Sequence, residues 1–215
     1  MNFTIRHGEI ISIFGPNGCG KSTLLNIMAG LDNDHTGKIL FRRNTKKGFV
    51  FQDNYNSLLP WKRIVDNIQL DKKIQSAKIK KILKDLDLWN SRHKYPYQLS
   101  GGMQQLLAIA RAFAHDSKII FLDEPFSNLD YQMALKAREL LLAAWQKHRP
   151  TIVFVSHDIE EAIMISDRII VLSKRPAKIE ELIEIDLPRP RQRSLVLSRK
   201  FLKYKKRLLQ HIKNE

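Results

Sequence analysis

Cysteine is nearly missing from this chain of 215 residues: Cys19 is alone. It has no partner for an intrachain disulfide and no cluster to build a thiolate metal site, which suits a reducing compartment, and a cytosolic chain is expected. Long apolar runs are also missing. None approaches the roughly 20 residues that span a bilayer, and the opening MNFTIRHGEI lacks the basic-then-apolar layout of a signal peptide. Any membrane role is therefore expected to be peripheral. Repeats, low-complexity tracts and long linkers are absent too, so one domain with its own core is expected.

Acidic residues are scarce, 22 Asp and Glu against 37 Lys and Arg, for a net charge of +15. Such an excess raises polyanion binding. The lysines, however, concentrate in DKKIQSAKIKKILKDL (71–86) and RKFLKYKKRLLQHIKNE (199–215), where apolar residues recur at helical spacing. Two amphipathic helices with solvated basic faces are expected there, with contact to anionic headgroups or RNA as the alternative.

Short β-branched runs alternate with helical patterns. EIISIF (9–14), KIIFLD (118–123), TIVFVS (151–156) and RIIVLS (168–173) are apolar on both faces, as strands of a covered parallel sheet must be. Between Gln52 and about His115 the pattern turns helical, in RIVDNIQL, AKIKKILKDLDLW and GGMQQLLAIARAFA. With GPNGCGKS (15–22) set between the first strand pattern and a helix pattern, the expected fold is α/β, a P-loop NTPase (RecA-like) core with an inserted α-helical subdomain and a small antiparallel β portion. The core takes about 1–52 and 116–190, the helical subdomain about 53–115 and a basic C-terminal helix about 191–215.

Three of the nine glycines fall in Gly15-Pro16-Asn17-Gly18-Cys19-Gly20-Lys21-Ser22-Thr23, between a strand pattern and a helix pattern. This fits G-x-x-x-x-G-K-[ST] in the context that motif requires. Glycines let the backbone fold around a phosphate and aim its N–H groups at the oxygens. Lys21 is expected to reach the β and γ phosphates and the Ser22 hydroxyl to hold Mg²⁺, so ATP and Mg²⁺ are the expected cofactors. Cys19 fills a free position as a passive small residue. KIIFLDEP (118–125) ends an apolar strand in two acids. Asp123 at the strand tip suits Mg²⁺, and Glu124 suits a base for the attacking water.

On LSGGMQQ (99–105) the sequence resembles the ATP-binding subunits of ABC transporters. The resemblance implies that Ser100, Gly101 and Gly102 close over the γ-phosphate held by a second copy, in a head-to-tail dimer. It implies a glutamine role for Gln52 in VFQDN, at Mg²⁺ or the water, and a contact across the dimer for Asp130 in SNLD (127–130). It also implies that His157 in VSHD (155–158) touches the γ-phosphate and supports Glu124.

Three further stretches, NSLLPWKRIVDNI (56–68), SHDIEEAIMISDRIIVLSKRPAKI (156–179) and IEIDLPRPRQR (183–193), resemble the importers of nitrate, sulfonate, taurine and bicarbonate. Leu58, Leu59, Pro60 and Trp61 would then face a groove for a helix of a membrane permease subunit, while the alternative has Trp61 capping its own lobe. An extracytoplasmic solute-binding protein would be an indirect partner, and the place of action the cytoplasmic face of the membrane. Against the family pattern, Leu106 stands where Arg is usual and Asn128 where Ala is common. The chain starts a few residues before GEIISIF, so no adenine-stacking residue is assigned and Phe3 lies too near the loop. The alternatives are a soluble ABC ATPase acting on nucleic acid or the ribosome, which having one P-loop and one LSGG disfavours, and an N-terminally incomplete module with little turnover.

Overall fold

A computed structural model describes residues 1–53, 57–71 and 73–213. Asn54 of VFQDN, Asn56 of the stretch expected to face a partner, Lys72 of the first basic segment, and Asn214 and Glu215 of the second lie outside the described residues. The elements run β1 (Ile10–Phe14), α1 (Lys21–Ala29), β2 (Lys47–Val50), α2 (Ile64–Ile68), α3 (Ser76–Asp85), α4 (Gly101–Ala114), β3 (Ile119–Asp123), α5 (Tyr131–His148), β4 (Thr151–Val155), α6 (Ile159–Ile165), β5 (Arg168–Leu172), β6 (Ile179–Glu184) and α7 (Arg199–Lys213). They form two compact units, Met1–Ile39 with Thr151–Glu215, and Leu40–Pro150. Among the described residues, no helix is long and apolar enough to cross a membrane.

In the first unit the strands lie in the order β4, β1, β5, β6. β1 is parallel to both neighbours, with Ile11 opposite Val153 and Arg168. Every residue of β1, β4 and β5 is buried, which is why their sequences read as unbroken apolar runs. β6 runs antiparallel to β5, pairing Ile183 with Ile169. In its IEELIE only Ile183 is fully buried, while Glu180, Leu182 and Glu184 are exposed, as in an edge strand with much of its surface wet.

The expected basic C-terminal helix is present as α7. Phe201 and Leu208, two turns apart, enter a cluster with Phe14, Ile163, Ile169, Val171 and Ile183. Its charges are not simply solvated. Lys200 pairs with Asp186 at 2.6 Å, Lys205 with Glu160 at 2.6 Å, and Arg207 with Glu181. Near its end, His211 Nδ1 lies 2.7 Å from Glu180 Oε2 and Nε2 lies 2.8 Å from Glu181 Oε2. Both ring nitrogens can donate only in the imidazolium form. Burial disfavours that cation, but the hydrogen bonds it donates to Glu181 and Glu180 outweigh the cost and raise the His211 pKa above its ordinary value.

A histidine pKa raised by folding adds stability that is complete below about pH 6.5 and is lost as pH rises through the folded value. The unfolding midpoint is therefore expected to fall between pH 6 and 8 by more in the native chain than in His211→Gln. Equal slopes would show that the two glutamates do not hold the ring.

The segment after β6 is fixed by two arginines. Arg189 Nη2 donates to Asp167 Oδ1 at 2.8 Å, while Asp167 Oδ2 accepts the N–H of Ile10 at 2.9 Å. Arg191 is buried and spends its guanidinium on five carbonyls, those of Ile163, Met164, Ser166, Ile185 and Leu187. Burial, with Arg189 nearby, pulls its pKa down to about 10, so it remains a cation at neutral pH.

In the second unit β2 pairs in parallel with β3, Phe49 beside Phe121. α4 is apolar almost all round, with Leu106, Leu107, Ile109 and Phe113 buried. It packs against α2, α3, α5 and β2. Leu106 is therefore a core position in this chain.

Candidate functional site

Residues 15–23 join β1 to α1 in the first unit. Gly20 precedes α1 at φ 107°, a left-handed conformation that L side chains rarely adopt. A Cβ on Gly15 would stand 2.8 Å from the carbonyl oxygen of Leu172, so only glycine lets the loop pass beside β5. Cys19 is buried beneath this turn, and its Sγ lies 3.2 Å from that same Cβ position. Pro16 is half-buried, and Asn17, Gly18 and Thr23 are exposed.

Lys21 is 6% exposed and folds back into the loop, where Nζ donates to the carbonyls of Gly15 and Pro16 at 2.9 Å each. An ammonium has three donors, so the loop holds the cation by two and fixes where the third points. Ser22 sits half-buried in the first turn of α1. No side chain caps that helix. By contrast, Ser100 Oγ, Asp130 Oδ1 and Asp158 Oδ1 accept the N–H groups of Met103, Met133 and Glu161, capping α4, α5 and α6.

A separate group of side chains lies in the second unit. Asp123 closes β3 and is half-buried. Glu124 follows at φ 41°, an uncommon backbone region for a non-glycine residue. Its carbonyl accepts from Ser127 Oγ at 3.0 Å. The exposed Gln52 places Nε2 at 3.3 Å from Glu124 Oε2 and 3.4 Å from Ser127 Oγ, so these three side chains gather at one point. The same unit carries Ser100 and Gly101, both exposed, and Gly102, buried with its Cβ position 2.5 Å from the end of the Met133 side chain. Asp130 and Asn128 are exposed. In the first unit, His157 follows β4 and is exposed.

Residues 1–127 match the family described as ABC transporter. The chain belongs to that family. It is 40% identical over 230 residues to an uncharacterized ABC transporter ATP-binding protein of Methanocaldococcus jannaschii, covering all of this chain and 84% of that protein. It is 40% identical over 220 residues to an aliphatic sulfonates import ATP-binding protein of Bacillus cereus, covering 98% and 86%. Among solved structures it resembles a dimeric ATP-binding cassette in a post-hydrolysis state bound to ADP and Pi, with TM-score 0.68 and 32% identity over 87% of this chain and 90% of that one. The fold is accordingly the α/β P-loop fold of ABC cassettes, and this ABC chain is an ATP-binding ATPase subunit.

The loop expected to face a partner corrects one expectation and removes one alternative. Leu58 is buried, so it belongs to the core of its own unit and not to a docking groove. Leu59 is half-buried and Pro60 exposed. Trp61 is 71% exposed, so it does not cap the lobe.

Sequence reading missed what holds this ABC loop in place. Asn67, fully buried on α2, accepts the N–H of Leu59 at 2.9 Å and donates to the carbonyls of Leu59, Lys62 and Arg63. One side chain thus ties down the loop on both sides of Trp61. The signal was faint: a single asparagine in VDNI at a position facing the core.

Proposed function

We propose that this ABC subunit powers import of a small solute of the nitrate, sulfonate, taurine or bicarbonate kind. It works as a head-to-tail dimer at the cytoplasmic face of the membrane, with permease subunits and, indirectly, an extracytoplasmic solute-binding protein. Trp61 carries this reading. A tryptophan left in water on a loop fastened by Asn67 loses little entropy on docking and offers a large apolar surface, the makings of an interface hot spot. The name of the Bacillus cereus relative supports the importer assignment.

Within the chain, Lys21 and the loop amides hold the transferring phosphoryl charge, and Glu124 orients and deprotonates the water. Gln52 steadies the Glu124 carboxylate, and His157 contacts the γ-phosphate. Ser100, Gly101, Gly102 and Asp130 serve the nucleotide of the second copy. The division into a core and a helical subdomain at about 53–115 belongs to the same reading.

Mg²⁺ fits the donors available, which are a hydroxyl on Ser22, a carboxylate on Asp123 and the amide oxygen of Gln52, whose nitrogen is turned to Glu124. All are hard oxygen ligands, and Mg²⁺ needs few from protein when phosphates supply the rest. When bound, the ion offsets charge on the β and γ oxygens.

The test is Trp61→Asp in membranes containing the permease. Subunit binding to the permease is expected to weaken about 30-fold, and solute uptake to fall with it. Unchanged binding would remove Trp61 from the interface and the importer reading would lose its support.

A further inference from the structure

Two adjacent glutamates begin α6 and go opposite ways. Glu160 pairs with Lys205, whereas Glu161 is 4% exposed. Burying a carboxylate is costly unless donors meet it, and Ser156 Oγ donates to Glu161 Oε2. The same Oγ accepts the N–H of Asp158 at 3.0 Å. Asp158 Oδ1 in turn accepts the N–H of Glu161 at 3.0 Å. The three bonds close a ring that runs Ser156, Glu161, Asp158 and back to Ser156.

His157 is the residue this ring encloses. Ser156 and Glu161 are buried while His157 is exposed, so the imidazole projects from a clamped base. Capping α6 requires only Asp158, and the turn at 156–158 requires only Ser156. Neither explains a buried carboxylate. Glu161 is the member that fixes the rotamer of Ser156, and through it the peptide on each side of the histidine.

We infer that Glu161 is a positioning residue that aims His157, an inference that rests on the role proposed for His157 in hydrolysis. Loss of the carboxylate loosens the direction of the imidazole without touching nucleotide binding by the 15–23 loop. Such misplacement acts on the transition state more than on the ground state.

The experiment measures kcat and KM for ATP with the full chain, for Glu161→Ala, Glu161→Gln, Ser156→Ala, His157→Ala and the double variant Glu161→Ala/His157→Ala, with an unfolding midpoint for each. Glu161→Ala is expected to lower kcat about tenfold or more with KM held within about twofold. Glu161→Gln, which still accepts from Ser156, is expected to stay within about threefold of the native rate. In the His157→Ala background, Glu161→Ala is expected to cost less than about twofold, because its effect passes through the missing ring.

An equal loss in both backgrounds would overturn the inference, as would an unchanged kcat in Glu161→Ala when His157→Ala is slow. Native turnover in His157→Ala would instead remove the role of His157, and the inference with it. Should Glu161→Ala unfold below the assay temperature, Ser156→Ala opens the same ring and carries the same expectations.

Discussion

Glu124→Gln is expected to lower ATP turnover by about 10²–10⁴-fold, the range for loss of a general base. Glutamine keeps the size of the side chain and an oxygen that can meet Gln52, but it cannot take the proton of the water. The backbone makes the comparison clean. Glu124 sits at φ 41°, a conformation that costs a non-glycine residue about 1–2 kcal/mol. Glutamine bears the same strain, so the unfolding free energy is expected to move by less than about 0.5 kcal/mol.

Glu124→Gly, which adopts that φ without a Cβ clash, is expected to be as inactive yet no less stable. Turnover assays with light scattering check both halves: the glutamine variant should accumulate as an ATP-bound dimer, since binding is intact and hydrolysis is not. Turnover within tenfold of native would move the base elsewhere.

Arg191→Ala is expected to be the most damaging single change to stability. Its guanidinium serves five carbonyls of the segment after β6 and the end of α6, and alanine leaves all five without that donor. Breaking a buried charged network costs about 3–5 kcal/mol. For a chain of this size each kcal/mol moves the midpoint by about 2–4 °C, so a fall of about 10–15 °C is expected by calorimetry or circular dichroism. Arg191→Lys is expected to recover only part of this. One ammonium with three donors does not reach five acceptors arranged around a planar fork. A shift under about 3 °C would mean that the segment is held by its apolar contacts instead.

What could be read in the sequence follows from how local each signal is. The 15–23 loop and LSGG were legible because they join fixed residue types to a strand or helix boundary. β1, β3, β4 and β5 were legible as continuous apolar runs. β2 was not, because KGFV has four residues and only Val50 is fully buried. β6 was missed because IEELIE, an edge strand, reads as a polar segment.

Buried polar residues were least visible. Glu160 and Glu161 are identical letters side by side, and only packing sends one to Lys205 and the other inside. Asn67 and Arg191 likewise satisfy backbone groups that no periodicity predicts. Trp61 had two open readings, and its exposure removes the one in which it caps its own lobe.

The edge strand bears on how molecules of this protein behave toward one another. β6 ends the strand order of its unit, and an open strand edge is a template on which another chain can pair. Here that edge is lined by Glu180, Glu181 and Glu184, in a chain otherwise rich in lysine and arginine. The carboxylates answer to α7 and Arg6 within the molecule and repel a like strand approaching from outside. The same ion pairs that fasten the C-terminal helix therefore also act as a guard on colloidal stability. Acid protonates these carboxylates and so loosens α7 from β6.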